Sequence, residues 1–105
     1  IMAIASTRIK MNQLIRLLVV DDEPLLRKKL GELLELRGYH VTQAASGTEA
    51  LHYLQTTSYD LMVLDVRMPG MSGIEVLHRV QDFQDDVAVV LLTGHATVES
   101  SLGGG

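Results

Sequence analysis

The chain has 105 residues, enough for one small domain, and its 47% apolar and 21% charged residues are ordinary for a globular protein. Its net charge of −4 argues against direct nucleic-acid binding by this domain, and the lack of cysteine excludes disulfide and thiolate chemistry and fits a cytoplasmic location. The apolar runs are far shorter than the roughly 20 residues that cross a bilayer, so we expect no membrane association.

Residues 1–13 differ in pattern from the rest of the chain. Met11 would be a natural start for a domain, so residues 1–13 are predicted to be an N-terminal extension. Its first ten residues would then come either from an expression vector or from an upstream segment. The alternative is that Ile1 to Ala5 forms an extra edge strand.

The first predicted strand runs from Leu14 to Val20, where every residue but one is apolar. It ends at two acids, Asp21 and Asp22, before Pro24, which suits the first turn of a helix. Leucines then recur at the spacing of one helix face, at positions 26, 30, 33 and 34. Gly38 is expected to cap the end of this helix.

Two pairs of residues predict the starts of the next helices. Ser46 with Glu49, and Ser72 with Glu75, have the spacing of capping boxes. The helix after Ser72 is expected to turn Ile74, Leu77 and Val80 inward. The remaining predicted elements are strands at 39–45, 60–66 and 87–92 and a fourth helix at 96–102. Strands alternating with helices predict a parallel sheet covered on both faces.

Polar side chains stand at the carboxyl ends of three predicted strands. Asp21 and Asp22 follow the first strand, Asp65 ends the third, and Thr93 follows the fourth. If the first and third strands are neighbours, the three carboxylates converge and repel one another. A hard divalent cation such as Mg²⁺ would relieve that repulsion, and Asp65 could then act as a nucleophile toward a phosphoryl group.

The same acids also have plainer interpretations. Asp22 could simply cap the helix that Pro24 opens, and Asp60 is expected to do little more than face solvent. The four histidines lack the spacing of metal ligands and are expected on the surface, at positions 40, 52, 78 and 95. Met68 and Met71 are expected to pack the loop around Pro69.

Three ordered stretches closely resemble the receiver domain of bacterial two-component response regulators, and the last of them is most similar to receivers of the nitrogen-regulation type. The stretches are Leu17 to Pro24, Leu64 to Gly73 and Leu91 to Ala96. The resemblance implies a flavodoxin-like, doubly wound α/β sheet in which four strands have the order 2-1-3-4. It implies an incomplete receiver domain at 14–102, followed by a glycine tail at 103–105.

The same resemblance implies roles for individual residues. Asp65 would accept a phosphoryl group from a sensor histidine kinase or a phosphotransfer protein, and Thr93 would hydrogen-bond that group and carry the switch. Mg²⁺ would be held by Asp22 directly, by Asp21 through water, by Asp65 and by the backbone carbonyl of Arg67. The change would pass to an output domain or partner protein, so the domain is predicted to signal rather than to act as an enzyme.

The sequence departs from the receiver pattern in one respect. Receivers have a fifth strand that ends in a lysine, and then a fifth helix, whereas the lysines here are Lys10, Lys28 and Lys29. Val87 to Leu92 is therefore expected to be an exposed edge. The edge could be covered by further chain, by a second copy in a homodimer, or by Ile1 to Ala5.

The sequence also allows functions other than phosphorylation control to be compared with its residues. An interaction module that keeps the fold without phosphorylation is the main alternative, because the lysine is missing. An aspartyl-phosphate hydrolase would need an acid where Arg67 stands. A flavodoxin-like flavin binder would need glycines and hydroxyls in the acidic loop after Val20.

Overall fold

Strands and helices alternate along the chain, as the apolar pattern predicts. The structure is a computed structural model that describes residues 2–4, 14–84 and 86–92. The described elements are β1 (Met2–Ile4), β2 (Arg16–Val20), α1 (Pro24–Leu36), β3 (His40–Ala44), α2 (Gly47–Thr56), β4 (Leu61–Asp65), α3 (Gly73–Val80) and β5 (Ala88–Leu92). The predicted helix at 96–102, together with Thr93 and His95, lies outside the described residues.

Four of the strands form the predicted parallel sheet. Their order is β3-β2-β4-β5, which is the order 2-1-3-4 when the parallel strands are counted along the chain. In the register between the central strands, Val20 stands opposite Leu64. The next residue along the chain in each case is an acid: Asp21 directly follows β2, and Asp65 is the last residue of β4. The sheet register itself therefore places these two acids side by side.

The N-terminal strand β1 completes the sheet on one side. It pairs antiparallel with β5, with Met2 opposite Leu91 and Ile4 opposite Val89. For Met2–Ile4, this pairing confirms the alternative in which the N-terminal residues supply an edge strand. β1 also covers part of the β5 edge through which a homodimer was predicted to form. A dimer through β5 would therefore first have to displace β1.

The helix ends follow the predicted capping residues. Gly38 has a φ of +99°, and its N–H donates to the Glu35 carbonyl while Tyr39 N–H donates to that of Leu34. These paired bonds are those of a Schellman cap, which favours glycine because of its positive φ. Hydroxyl oxygens accept from backbone N–H groups at the other two helices: Ser46 from Glu49 at 3.1 Å and Ser72 from Glu75 at 3.2 Å.

Two apolar clusters pack on the two faces of the sheet. The larger lies beneath α2 and α3, and the smaller lies beneath α1 around Leu17, Val19 and Val63. Met68 is buried in the larger cluster and Met71 packs against it, as predicted.

The inward faces of α1 and α3 were predicted only in part. Leu30 and Leu34 pack against the smaller cluster as expected, but Leu26 and Leu33 remain 47% and 49% exposed. They lie on the flank of α1 rather than on its sheet-facing side. In α3 the buried residues are Gly73, Val76 and Val80, which lie on one side of the helix. Ile74 is turned outward and is 43% exposed.

Candidate functional site

Three carboxylates meet at the carboxyl edge of the sheet. Asp21 and Asp22 follow β2, and Asp65 is the last residue of the adjacent strand β4. One oxygen from each of the three lies within 4.8 Å of the others. The sequence-based prediction that these acids converge is therefore confirmed.

Asp21 is fully buried, and three of its polar groups form hydrogen bonds with neighbouring residues. Its N–H donates to the Ala44 carbonyl at 3.1 Å, and its carbonyl accepts from Nη1 of Arg27 at 2.7 Å. Its Oδ1 accepts from the N–H of Glu23 at 3.0 Å. Oδ2 is buried and has no hydrogen-bond partner among the described residues. A buried carboxylate oxygen without a partner is costly, so this atom is suited to an additional ligand.

Asp22 does not cap α1. The N-cap residue of that helix is Glu23, whose side chain forms no capping bond, and the nearby N–H of Glu23 is taken by Asp21. The alternative interpretation of Asp22 as a helix cap is therefore wrong. Asp22 is half-buried, and its carboxylate belongs to the acidic cluster.

Asp65 has only 7% of its surface exposed. Burial raises the pKa of this carboxyl above its ordinary value, and the charges of Asp21 and Asp22 raise it further. The N–H of Arg67 opposes this shift by donating to Oδ1 at 3.0 Å. The ionised form of Asp65 is therefore disfavoured as long as the neighbouring negative charge is not compensated.

The acidic cluster fits a hard divalent cation. Its donors are carboxylate oxygens, the type that Mg²⁺ prefers, and two of its three residues are buried. Asp21 Oδ2 offers an unused lone pair, and a positive charge would offset the effects of burial and of the neighbouring carboxylates that raise the pKa of Asp65. The residues present thus match the predicted Mg²⁺ site in chemistry and in proximity.

Comparison with known proteins assigns the chain to a family. A family model described as the response regulator receiver domain matches residues 17–102. The chain belongs to the receiver domain family of response regulators. Receiver domains are signalling modules of two-component systems, and the fold, strand order and acidic cluster of this chain agree with that membership.

Known proteins similar to this receiver domain include a curated relative and two solved structures. A probable transcriptional regulatory protein from Mycobacterium tuberculosis, TcrX, is 37% identical over 92 residues, or 88% of this chain and 39% of TcrX. The response regulator TrrA from Thermotoga maritima, solved in complex with Mg²⁺ and BeF, is 42% identical with a TM-score of 0.75. That match covers 85% of this chain and 77% of TrrA.

TrrA has also been solved in complex with the histidine kinase ThkA. In that structure the similarity is 43% identity with a TM-score of 0.72, covering 78% of this chain and 71% of the matched chain. This receiver domain thus spans about two-fifths of the length of TcrX and roughly three-quarters of TrrA. None of the receiver's described helices has the length and apolar character needed to cross a membrane.

The other predicted residues of the receiver have mixed outcomes. Thr93 lies outside the described residues, and Arg67 has an exposed side chain but a backbone N–H that contacts Asp65. Asp60 does more than face solvent: its Oδ2 accepts from the N–H of Arg16 at 3.0 Å and so joins the starts of β4 and β2. The described histidines at 40, 52 and 78 are exposed, as predicted.

Sequence reasoning missed three residues: Arg27 and Gly73 lie near the receiver's site, and Gln84 lies at the opposite, amino edge of the sheet. Arg27 was overlooked because a charged residue on a surface helix gives no sign of what its side chain reaches. Gly73 was overlooked because its function is a close approach between backbones, which only the packing of α3 reveals. Gln84 falls in a predicted polar loop, although it bonds three backbone groups.

Proposed function

We propose that this receiver domain is a phosphorylation-dependent switch in which Asp65 accepts a phosphoryl group from a sensor histidine kinase. The observation that carries the proposal is the convergence of Asp21, Asp22 and Asp65 at one edge of the sheet, with Asp65 buried at the end of β4. A cytoplasmic location, where such kinases present their phosphohistidine, is part of the proposal.

In the transfer step Asp65 is the nucleophile. A carboxylate oxygen attacks the phosphorus of phosphohistidine, a P–O bond forms, and the P–N bond breaks with its electron pair passing to the imidazole nitrogen, which takes up a proton from water. The N–H of Arg67 holds Oδ1 of Asp65 and so fixes the orientation of the attacking group.

The other acids would hold the cation that the transfer requires. We propose that Asp22 and Asp65 ligate Mg²⁺ directly, that Asp21 acts through water, and that the carbonyl of Arg67 completes the protein ligands. When bound, Mg²⁺ would supply the positive charge that offsets the carboxylates and the transferring phosphoryl group. The unpartnered Oδ2 of Asp21 and the raised pKa of Asp65 support this assignment.

Thr93 is proposed to read the phosphorylated state. It follows the last residue of β5, and Leu92 of β5 pairs in register with Asp65. A hydroxyl at this position could hydrogen-bond the new phosphoryl oxygens and transmit their presence along the chain. The recipient would be an output domain or a partner protein, which accords with the chain spanning only 39% of the regulator TcrX.

The ThkA–TrrA complex supports a histidine kinase as the partner, and the Mg²⁺–BeF complex of TrrA supports a metal-assisted phosphoryl site. To test the proposal, the purified domain is incubated with acetyl phosphate and MgCl₂ and analysed by intact mass. We expect the mass of one phosphoryl group to be added, and no label to be added when the incubation contains excess EDTA.

The matched variants are Asp65→Asn, which should take no label, and Asp82→Asn, which changes an exposed acid at the end of α3 and should be labelled like the wild type. Label that persists in Asp65→Asn would overturn the assignment of the phosphoacceptor. A wild-type domain that takes no label would favour the interaction module that works without phosphorylation.

A further inference from the structure

A side chain from α1 reaches back to the acidic cluster without belonging to it. Nη1 of Arg27 donates to the backbone carbonyl of Asp21 at 2.7 Å, and the side chain is half-buried. The N–H of Arg27 donates to the carbonyl of Glu23 at 2.9 Å. Arg27 is therefore anchored in the first turns of α1 while its guanidinium holds the loop between β2 and that helix.

This contact completes the fixation of Asp21. The N–H and Oδ1 of Asp21 are bonded to Ala44 and Glu23, so without Arg27 its carbonyl would lose its described partner. The carbonyl belongs to a fully buried residue, where water cannot easily replace a lost donor. The peptide that carries this carbonyl joins Asp21 to Asp22, so its orientation fixes ψ of Asp21 and φ of Asp22, the torsions that set how the two side chains lie relative to one another.

We propose that Arg27 is a positioning residue for the cation site: by holding the Asp21 carbonyl it keeps the Asp21–Asp22 pair aimed at Asp65. The inference rests on the proposed Mg²⁺ site and adds to it a residue that is not a ligand. A charge-assisted bond from a planar guanidinium is strong and directional, which suits arginine to this role.

Loss of the positioning contact and loss of the positive charge of Arg27 would change the Mg²⁺ affinity in opposite directions. A guanidinium near the site repels a cation, so if only its charge mattered, its removal would strengthen Mg²⁺ binding. If positioning dominates, its removal weakens binding because the carboxylates are no longer held together. The sign of the change in affinity therefore separates the two effects.

The test measures Mg²⁺ affinity by calorimetric titration of the whole chain at fixed ionic strength. The variants are Arg27→Met, which removes the donor and the charge, and Arg27→Lys, which restores the charge and a single donor group. Lys28→Met is the matched control, since it removes one positive charge from an exposed neighbour on the same helix. We expect about tenfold weaker binding for Arg27→Met, partial recovery for Arg27→Lys, and near wild-type binding for Lys28→Met.

A second readout is independent of the metal. The N–H of Glu23 is bonded to Asp21 Oδ1, so its hydrogen exchange in EDTA reports whether Asp21 is still in place. In Arg27→Met we expect this amide to lose protection while the amides of β2 and β4 keep theirs. This result would also show that the variant is folded.

The outcomes distinguish the inference from the function on which it rests. Mg²⁺ binding by Arg27→Met as tight as, or tighter than, binding by Lys28→Met would overturn the positioning role and leave the proposed function standing. A wild-type domain that binds no Mg²⁺ would overturn both. A binding deficit in Arg27→Met that persists or grows when NaCl is raised supports positioning, because salt screens the opposing charge effect, which would tighten binding.

Discussion

Gly73 lies directly against the backbone of Asp65. A Cβ on Gly73 would overlap the carbonyl oxygen of Asp65 and stand 2.7 Å from Cα of Val66, closer than real Cβ atoms approach. The N–H of Gly73 also donates to the carbonyl of Val66 at 3.0 Å. The first residue of α3 thus braces the end of β4 from which the proposed phosphoacceptor projects.

Substitution Gly73→Ala should destabilise the domain by about 1–3 kcal/mol, because an added methyl group must displace backbone rather than a flexible side chain. Urea unfolding measures the loss. Gly31→Ala is the matched control: its Cβ would meet the exposed side chain of Gln43, which can move, and alanine favours a helix interior. A Gly73→Ala variant as stable as Gly31→Ala would contradict the close packing described.

Asp65→Asn should stabilise the metal-free domain at neutral pH. Because the folded-state pKa of Asp65 is raised by burial and by Asp21 and Asp22, its ionised form costs stability in EDTA. The native state binds a proton more readily than the unfolded chain. The ionised carboxylate therefore lowers the free energy of unfolding by its full amount at pH values well above the folded-state pKa. This loss shrinks as the pH falls through the folded-state pKa, and it is absent below the ordinary pKa of the unfolded chain.

Thermal unfolding of wild type and Asp65→Asn in EDTA, from pH 7 downward, tests this expectation. The difference in Tm should be largest at pH 7 and should close toward pH 4. Asp82→Asn, which changes an exposed acid, serves as the control for loss of a carboxylate elsewhere. A lower Tm for Asp65→Asn than for the wild type at neutral pH would show that the ionised carboxylate does not destabilise the metal-free domain.

Gln84 joins two loops at the amino edge of the sheet. Its Oε1 accepts from the N–H of Tyr59 at 3.0 Å, and its Nε2 donates to the carbonyls of Leu54 and Thr57 at 2.8 and 2.6 Å. Gln84→Ala should lower the free energy of unfolding by about 2–3 kcal/mol, since three backbone groups lose a partner. Gln81→Ala, at an exposed position three residues earlier, should change it by less than about 0.5 kcal/mol.

Gln84→Glu refines that test. It keeps an acceptor for Tyr59, but at neutral pH it places a carboxylate oxygen against the carbonyls of Leu54 and Thr57, so the domain should be at least as destabilised as Gln84→Ala. Equal stability of all three proteins in urea would mean that these bonds contribute nothing.

Replacing residues 1–5 with a glycine–serine segment of equal length should expose the outer edge of β5. We expect a loss of about 1–2 kcal/mol, on the order of one or two net backbone hydrogen bonds, and concentration-dependent association through the freed edge. Urea unfolding and light scattering after size-exclusion chromatography measure the two effects. A variant with the same association state and the same stability as the wild-type domain would show that β1 neither protects nor stabilises β5.

The sequence by itself determined the alternation of strands and helices and placed the acids at the ends of strands, whereas the strand order 2-1-3-4 was implied by the family resemblance. Short apolar runs that end in acids, such as Val63 to Asp65, are typical of strands that are buried on both faces. The carboxyl ends of parallel strands meet at one edge of the sheet, so the acids gather there. Capping was equally local, since Ser46, Ser72 and Gly38 act on groups within a few residues of themselves. The family resemblance added roles that periodicity alone does not give.

Only the tertiary structure decided the contacts between residues distant in the chain. The pairing of Met2–Ile4 with β5 joins segments more than 80 residues apart, and a three-residue strand carries too little pattern to select its partner. The helix flanks that stay exposed, at Leu26 and Ile74, depend on where each helix lies on the sheet rather than on its own spacing. The support of the acidic cluster by Arg27 and Gly73 likewise depends on packing, because a long side chain or a missing Cβ acquires its function from its neighbours.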